Sequence, residues 1–281
     1  MKKKCLFKIV FISLLILVFN YALVFAQSLN PEKFVENFYQ WYLENEMNVK
    51  IDDKAFAQYL SPCLIEQIKK SQSKGALPDG FNYFIKASDY NDEHPRKIKV
   101  HKATCFKDNV ILVPVTFGEG FAYSVLVFLR KDGNALSIIK IAPTYSYGEY
   151  PVSGNPNKIN ASPEKFVENF YRWYLSNEHG ENLPERNKEI YNYVFEATVE
   201  AVKARLGFYY TSYFTATAVN GADWENNIHV YQHITLPDNL IIVPVSFGKD
   251  KDTNVVVILS AEDKGLRITR VEDTWGYSAI P

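Results

Sequence analysis

The chain has 281 residues, 47% of them hydrophobic and 22% charged, and its 31 Lys+Arg against 32 Asp+Glu give a formal net charge of −1. That balance offers no electrostatic case for nucleic acid or an anionic membrane surface as a partner. The composition is otherwise that of an ordinary globular protein, except for an aromatic share of 15%, with 19 Tyr and 19 Phe.

In chain order, Lys2, Lys3 and Lys4 lead into an apolar run from Cys5 to Phe25, followed by Ala26 and Gln27. A basic start, an apolar middle and a small residue before a polar one make a secretory signal peptide, with cleavage placed after Ala26. The competing reading is an uncleaved anchor, because the run approaches the length of a bilayer span. The expectation is export, with a mature periplasmic or secreted chain that has no membrane contact of its own.

Residues 31–39 (PEKFVENFY) then return letter for letter as residues 163–171. Further on, 110–118 (VILVPVTFG) matches 240–248 (LIIVPVSFG), and 124–129 and 136–141 match 254–259 and 266–271. The plan is therefore a signal peptide (1–26), a first repeat (27–150), a linker (151–162) rich in Gly, Pro, Ser and Asn, and a second repeat (163–281).

Each repeat opens on a helix. Asn30 and Ser162 suit its N-cap, Pro31 and Pro163 its first position, and Glu32 and Glu164 its positive end. At about 100° per residue, Phe34, Val35, Phe38, Tyr39, Trp41, Tyr42 and Leu43 cover about 200° of its surface, more than a one-sided helix needs. Cover on two sides is expected, from a sheet and from a second helix at 55–70, or 188–205 in the second repeat.

Runs of β-branched and aromatic residues follow, bounded by turn signals at 131–134 (KDGN) and 263–265 (DKG). Short turns imply antiparallel hairpins. Pro114 and Pro244 within such runs imply an edge position or a bulge that bends the sheet. Helices first and antiparallel strands after give an α+β domain with its helices on one face of the sheet.

The segments FVENFYQWYL, YLSPCLIEQI and FNYFIKASDYND, with the hairpin strands after them, resemble the bacterial exported family of domain of unknown function 3828. The resemblance covers both halves of the mature chain. It implies two tandem cone-shaped domains of the nuclear-transport-factor-two and cystatin-like kind, each with N-terminal helices packed on a curved antiparallel sheet. The family's acidic pair near the last strand is present as Glu272 and Asp273 but replaced by Ala142 and Pro143 in the first repeat.

Only Cys63 and Cys105 survive signal removal. In an exported chain they are disulfide candidates, and closing that loop would stabilise the first repeat by roughly 4 kcal/mol. The alternative is two separate thiols. Ala197 and Thr235 at the matching positions show that the fold does not depend on a bond.

The residues carry no catalytic, metal or cofactor motif. His94, His101 and His179 are isolated in the sequence. His229 and His233 share a strand face if the strand is regular, without an apparent third ligand. The carboxylate pairs at 52–53, 92–93 and 272–273 suit solvated turns.

Trp41, Tyr42, Asn45, Trp173, Tyr174 and Asn177 lie on the apolar arc of the first helices. They are pocket candidates if the cones are open, core residues if not, and the two asparagines equally suit capping of the last helical carbonyls. Lys33, Glu36 and Asn37 recur as Lys165, Glu168 and Asn169 on the solvated face, which marks an interaction face or a recent duplication.

The function expected is an exported, non-enzymatic binding protein acting on an unknown protein or small ligand of the cell envelope. Two alternatives stand beside it: an envelope inhibitor or immunity-type protein, and a small-molecule isomerase or hydrolase using the cone pocket.

Overall fold

The computed structural model describes residues 30–45, 51, 53–73, 82–86, 97–118, 123–145, 162–177, 187–205, 212–217, 220–237, 239–262 and 265–276. The signal peptide, its cleavage site, most of the linker, His94 and His179 lie outside the described residues.

Among the described residues, each repeat has the same order of α-helices and strands. The first holds α1 (Pro31–Glu44), a 3-10 turn (Phe56–Gln58), α2 (Pro62–Ser73) and strands β1 (Ile98–Val100), β2 (Thr104–Cys105), β3 (Val110–Phe117), β4 (Tyr123–Asp132) and β5 (Ala135–Pro143). The second holds α3 (Pro163–Asn177), a 3-10 turn (Lys188–Asn192), α4 (Glu196–Arg205) and a second 3-10 turn (Trp224–Asn226). Its strands are β6 (Ile228–Val230), β7 (Ile234–Thr235), β8 (Leu240–Phe247), β9 (Thr253–Glu262) and β10 (Gly265–Asp273).

Both sheets are antiparallel. The order is β1-β3-β4-β5 in the first and β10-β9-β8-β6 in the second, with β2 and β7 also pairing β3 and β8. Matching bulges interrupt the last hairpins, at Ile139 between Leu129 and Phe128 and at Thr269 between Ile268 and Arg270. Such insertions bend a sheet. At the other edge, Val100 pairs with Val115 and Thr104 with Leu112, so residues 101–103 face only 113–114. Pro114 sits there: it accepts a bond from the His101 amide on that side, where its own missing N–H would also point. Pro244 and Tyr231 repeat the arrangement. The prolines therefore mark bulges within central strands rather than edge strands.

The aromatic arc of α1 is covered, but not mainly by the second helix. Tyr39 packs edge-on against Phe117 of the sheet, with ring centroids 5.0 Å apart, and Tyr171 meets Phe247 at 4.8 Å. On the other side Phe38 and Trp41 pack on Tyr59, and Tyr42 on Phe84. The 3-10 segment with Tyr59 after it, and Phe84, supply the cover, while α2 packs at the β5 edge, where the Ser61 amide donates to the Ile138 carbonyl and the Ile138 amide to the Tyr59 carbonyl.

The second face of each sheet is also buried, against the other repeat. Phe106, Val110, Leu112, Leu126 and Phe128 form one core with their counterparts Leu236, Leu240, Ile242, Val256 and Ile258. Residues 31–281 are consequently one compact unit layered helix–sheet–sheet–helix. This explains why all eight residues of β3 and of β8 are buried. A sheet with one wet face would alternate instead.

Candidate binding cleft

The cones are filled by their own side chains. Tyr39, Phe38 and Phe56 in the first repeat, and Tyr171, Tyr174, Phe170 and Phe214 in the second, have essentially no exposed surface. Tyr39 Oη donates to the Phe84 carbonyl at 2.8 Å, and Tyr171 Oη to the Phe214 carbonyl at 2.8 Å. Burial raises both phenols well above their ordinary range, so they stay protonated donors.

Of the pocket candidates, Tyr42 is buried and bonded to Asn82, and Tyr174 is buried and bonded to Ser212. Trp41 and Trp173 are half-buried and stack on Tyr59 and Tyr193. Asn45 Nδ2 donates to the Trp41 carbonyl at 2.8 Å, which also accepts the Asn45 amide, and Asn177 Nδ2 donates to the Trp173 carbonyl at 2.7 Å, so both asparagines fold back onto the last turn of their helices.

The disulfide expected of Cys63 and Cys105 is not made; both thiols are free and exposed. Cys63 begins α2, at the β5 edge, whereas Cys105 lies in β2, beyond β3 at the opposite edge. Strand spacings of about 4.8 Å across β3, β4 and β5 carry the two well past the Cα separation of about 7 Å that a disulfide bridges.

On the helix faces, Lys33 pairs with Glu36 at 2.8 Å, Lys165 with Glu168 at 3.0 Å, and Arg172 with Glu168 at 2.8 Å. Asn37 and Asn169 are exposed. The shared Lys and Glu thus have a local reason to recur, worth a few tenths of a kcal/mol per pair; the asparagines do not.

The feature that both repeats build together is a cleft of about 490 Å³ lined by residues 101–105 and 231–234. These are the edge-strand bulges and the residues after them. Each is tied to the first turn of its own helix: Glu32 Oε1 accepts from the Ala103 amide at 2.9 Å, and Glu164 Oε1 from the His233 amide at 3.1 Å. Glu164 also meets His233 Nδ1 at 2.7 Å. Burial pushes the Glu164 carboxyl up, but hydrogen bonds from Ser162 and His233 outweigh it and bring the group down to about 2. The repeated glutamate is therefore a strut between helix and bulge, a role its sequence position did not reveal.

His101 and Tyr231 occupy equivalent places in the bulges. His101 Nε2 lies 2.9 Å from Thr116 Oγ1, and Tyr231 Oη 3.1 Å from Ser246 Oγ. Burial, with Lys99 adding to it, lowers His101 to about 4, so the ring is neutral at physiological pH. The bulge also breaks the four-residue spacing of His229 and His233: one stays in β6, the other turns to Glu164. Among the described residues no group of three or more His, Cys, Asp or Glu is placed to hold a metal ion.

The acidic pair found only in the second repeat lies between the sheets. Glu272 is buried, 3.0 Å from Lys140 of the first repeat and in contact with Arg270; Asp273 meets the same lysine at 3.0 Å. Burial pushes the Glu272 carboxyl up, but Lys140 and Arg270 outweigh it and hold the group below the usual range.

No family model and no curated protein matches the chain. The family-level part of the resemblance read in the sequence thus has no matching model, while its fold-level part is present in both halves. The chain is similar to two solved structures, the native and selenomethionine forms of the type VI effector–immunity complex Tae3–Tai3 from Ralstonia pickettii. Identity is 28% in both, over 42% of this chain and 98% or 100% of that one, with TM-scores of 0.38 and 0.39. Among the described residues, no helix is long and apolar enough to cross a membrane.

Proposed function

We propose that the chain is an exported, non-enzymatic protein-binding module of the inhibitor or immunity type. The observation that carries this reading is the filling of both cones. The space in which a cone-shaped enzyme would hold a small substrate is occupied by Tyr39, Phe38, Phe56 and Phe84 in one repeat and by Tyr171, Phe170, Tyr174 and Phe214 in the other. What the two repeats offer instead is the cleft that they line together. A cleft with walls from two related halves suits a macromolecular partner that engages both.

Native mass spectrometry of the chain, isolated gently from cell envelopes, tests the reading. A discrete complex with one protein is expected. A chain that carries only a small molecule, or turns one over, contradicts it.

A further inference from the structure

Charge is unevenly shared between the two walls of the cleft. Residues 97–107 hold Lys97, Lys99, Lys102 and Lys107 with no Asp or Glu, whereas the equivalent 227–237 hold no Lys, Arg, Asp or Glu at all. Lys99 and Lys102 are exposed, and Lys102 lines the cleft itself; Lys107 reaches Asp250 at 3.3 Å. Among the described residues no carboxylate lines the cleft. Glu32 and Glu164, which reach the bulges, are bonded to their amides. Among the described residues that line the cleft, Lys102 on the first repeat's wall is therefore the one lysine, with Lys99 three residues before it in β1, and Gln232 stands in its place on the second repeat's wall.

Backbone geometry adds a second constraint. Among the described residues β2 pairs only with β3 and β7 only with β8, so the parts of the two walls that these strands form are sheet edges. Edges of this kind accept an added strand through main-chain hydrogen bonds. The bulges interrupt each edge at 101–103 and 231–233, and β2 and β7 follow them along the cleft.

Resting on the protein-binding reading above, we infer that the cleft takes an acidic, extended segment of the partner protein, its carboxylates facing Lys99 and Lys102. Alternating side chains of an extended segment point to opposite sides. One set meets the wall that carries Lys102, while the other meets Tyr231, which packs against Phe106 at 5.4 Å at the margin of the inter-sheet core. A nucleic acid would match the charge but not the strand edges.

Fluorescence anisotropy with the mature two-repeat chain decides the matter. The probes are a labelled ten-residue peptide alternating Glu with Thr, the same peptide with Lys for Glu, and an oligothymidylate of equal length, in about 0.15 M salt. Saturable binding of the Glu peptide alone is expected. Lys99→Glu with Lys102→Glu should weaken it by at least about tenfold. Lys102→Gln, the residue of the second repeat, should weaken it less, and Lys69→Glu, exposed on α2 at the opposite edge of the sheet, should leave it unchanged. Both target lysines are exposed, and unaltered circular dichroism would show that the variants fold.

No saturable binding of the Glu peptide, or binding indifferent to Lys99 and Lys102, overturns the inference. Equal, lysine-dependent binding of oligothymidylate overturns it too, by making the cleft a site for polyanions in general. A protein complex in native mass spectrometry beside a failed peptide titration would sink this inference alone; absence of both would remove the functional reading as well.

Discussion

Lys140 Nζ of the first repeat lies 3.0 Å from Glu272 Oε2 of the second, and both side chains are almost wholly buried. Arg270 touches the same carboxylate, and Asp273 the same lysine. The counterpart of Glu272 is Ala142, in the same inter-sheet core. A second acid there would bring another buried negative charge to cations already paired. That is a physical reason for the acidic pair to occur in one repeat only.

Removing one member of a buried ion pair leaves the other uncompensated. Glu272→Ala should therefore destabilise the protein by about 3 kcal/mol in urea unfolding. Lys140→Ala should cost less after Glu272→Ala than alone, since the partner is already gone. Additive losses would show that the two do not communicate.

Tyr39→Phe and Tyr171→Phe each delete a buried hydroxyl and strand a buried carbonyl, that of Phe84 or Phe214. Each should cost about 1–3 kcal/mol, with similar values in the two repeats. Calorimetry of the two variants checks this; a neutral result in either would mean that the carbonyl finds another donor.

The pH profile of stability should carry a mark of His101. Its folded pKa is about 4 against an ordinary 6.5, so the unfolded chain takes up this proton first on acidification. The stabilisation is complete above pH 6.5 and drains away as pH falls toward 4. His101→Tyr, which installs the residue of the second repeat, should flatten that part of the profile. His229, lowered by burial and by Lys251, keeps its own contribution in the same direction. Urea midpoints measured between pH 7.5 and 4 give the comparison.

Two free thiols per mature chain should react with a thiol reagent without denaturant, since Cys63 and Cys105 are both exposed. Reductant should leave the unfolding midpoint where it was. A midpoint that drops on reduction would restore the bond.

Gly221 lies under Trp224, whose indole Nε1 stands 2.4 Å from where a Cβ would be. Trp224 in turn stacks on Phe247 at 5.1 Å. Gly221→Ala must displace that ring, so a loss of about 1–3 kcal/mol is expected, together with altered tryptophan fluorescence.

Much of a single repeat was legible in the sequence, because its rules are local. The repeated PEKFVENFY marked the first helix, the turn residues marked the hairpins, and Pro114 and Pro244 marked bulges. What escaped was everything made between repeats. The near-continuous apolar run of 110–117 is the signature of a strand buried on both faces, yet helices account for one face only; that surplus was the available clue to the sheet-to-sheet core. Glu272 and Asp273 resembled a solvated pair, since nothing near them in sequence announces Lys140. Glu32 and Glu164 looked like helix-end acids, because their bonds to Ala103 and His233 span about seventy residues. The disulfide expectation failed for the same reason: chain order does not show that a sheet lies between the cysteines.

Photocrosslinking in intact envelopes tests most directly whether partner binding runs through the shared cleft. A benzophenone amino acid would replace Gln232 in the cleft, Asn169 on the helix face or Ser176 at the far end of α3. An adduct with one protein is expected from Gln232 and none from Ser176. An adduct from Asn169 or Ser176 alone, or from no position, would contradict binding through the cleft.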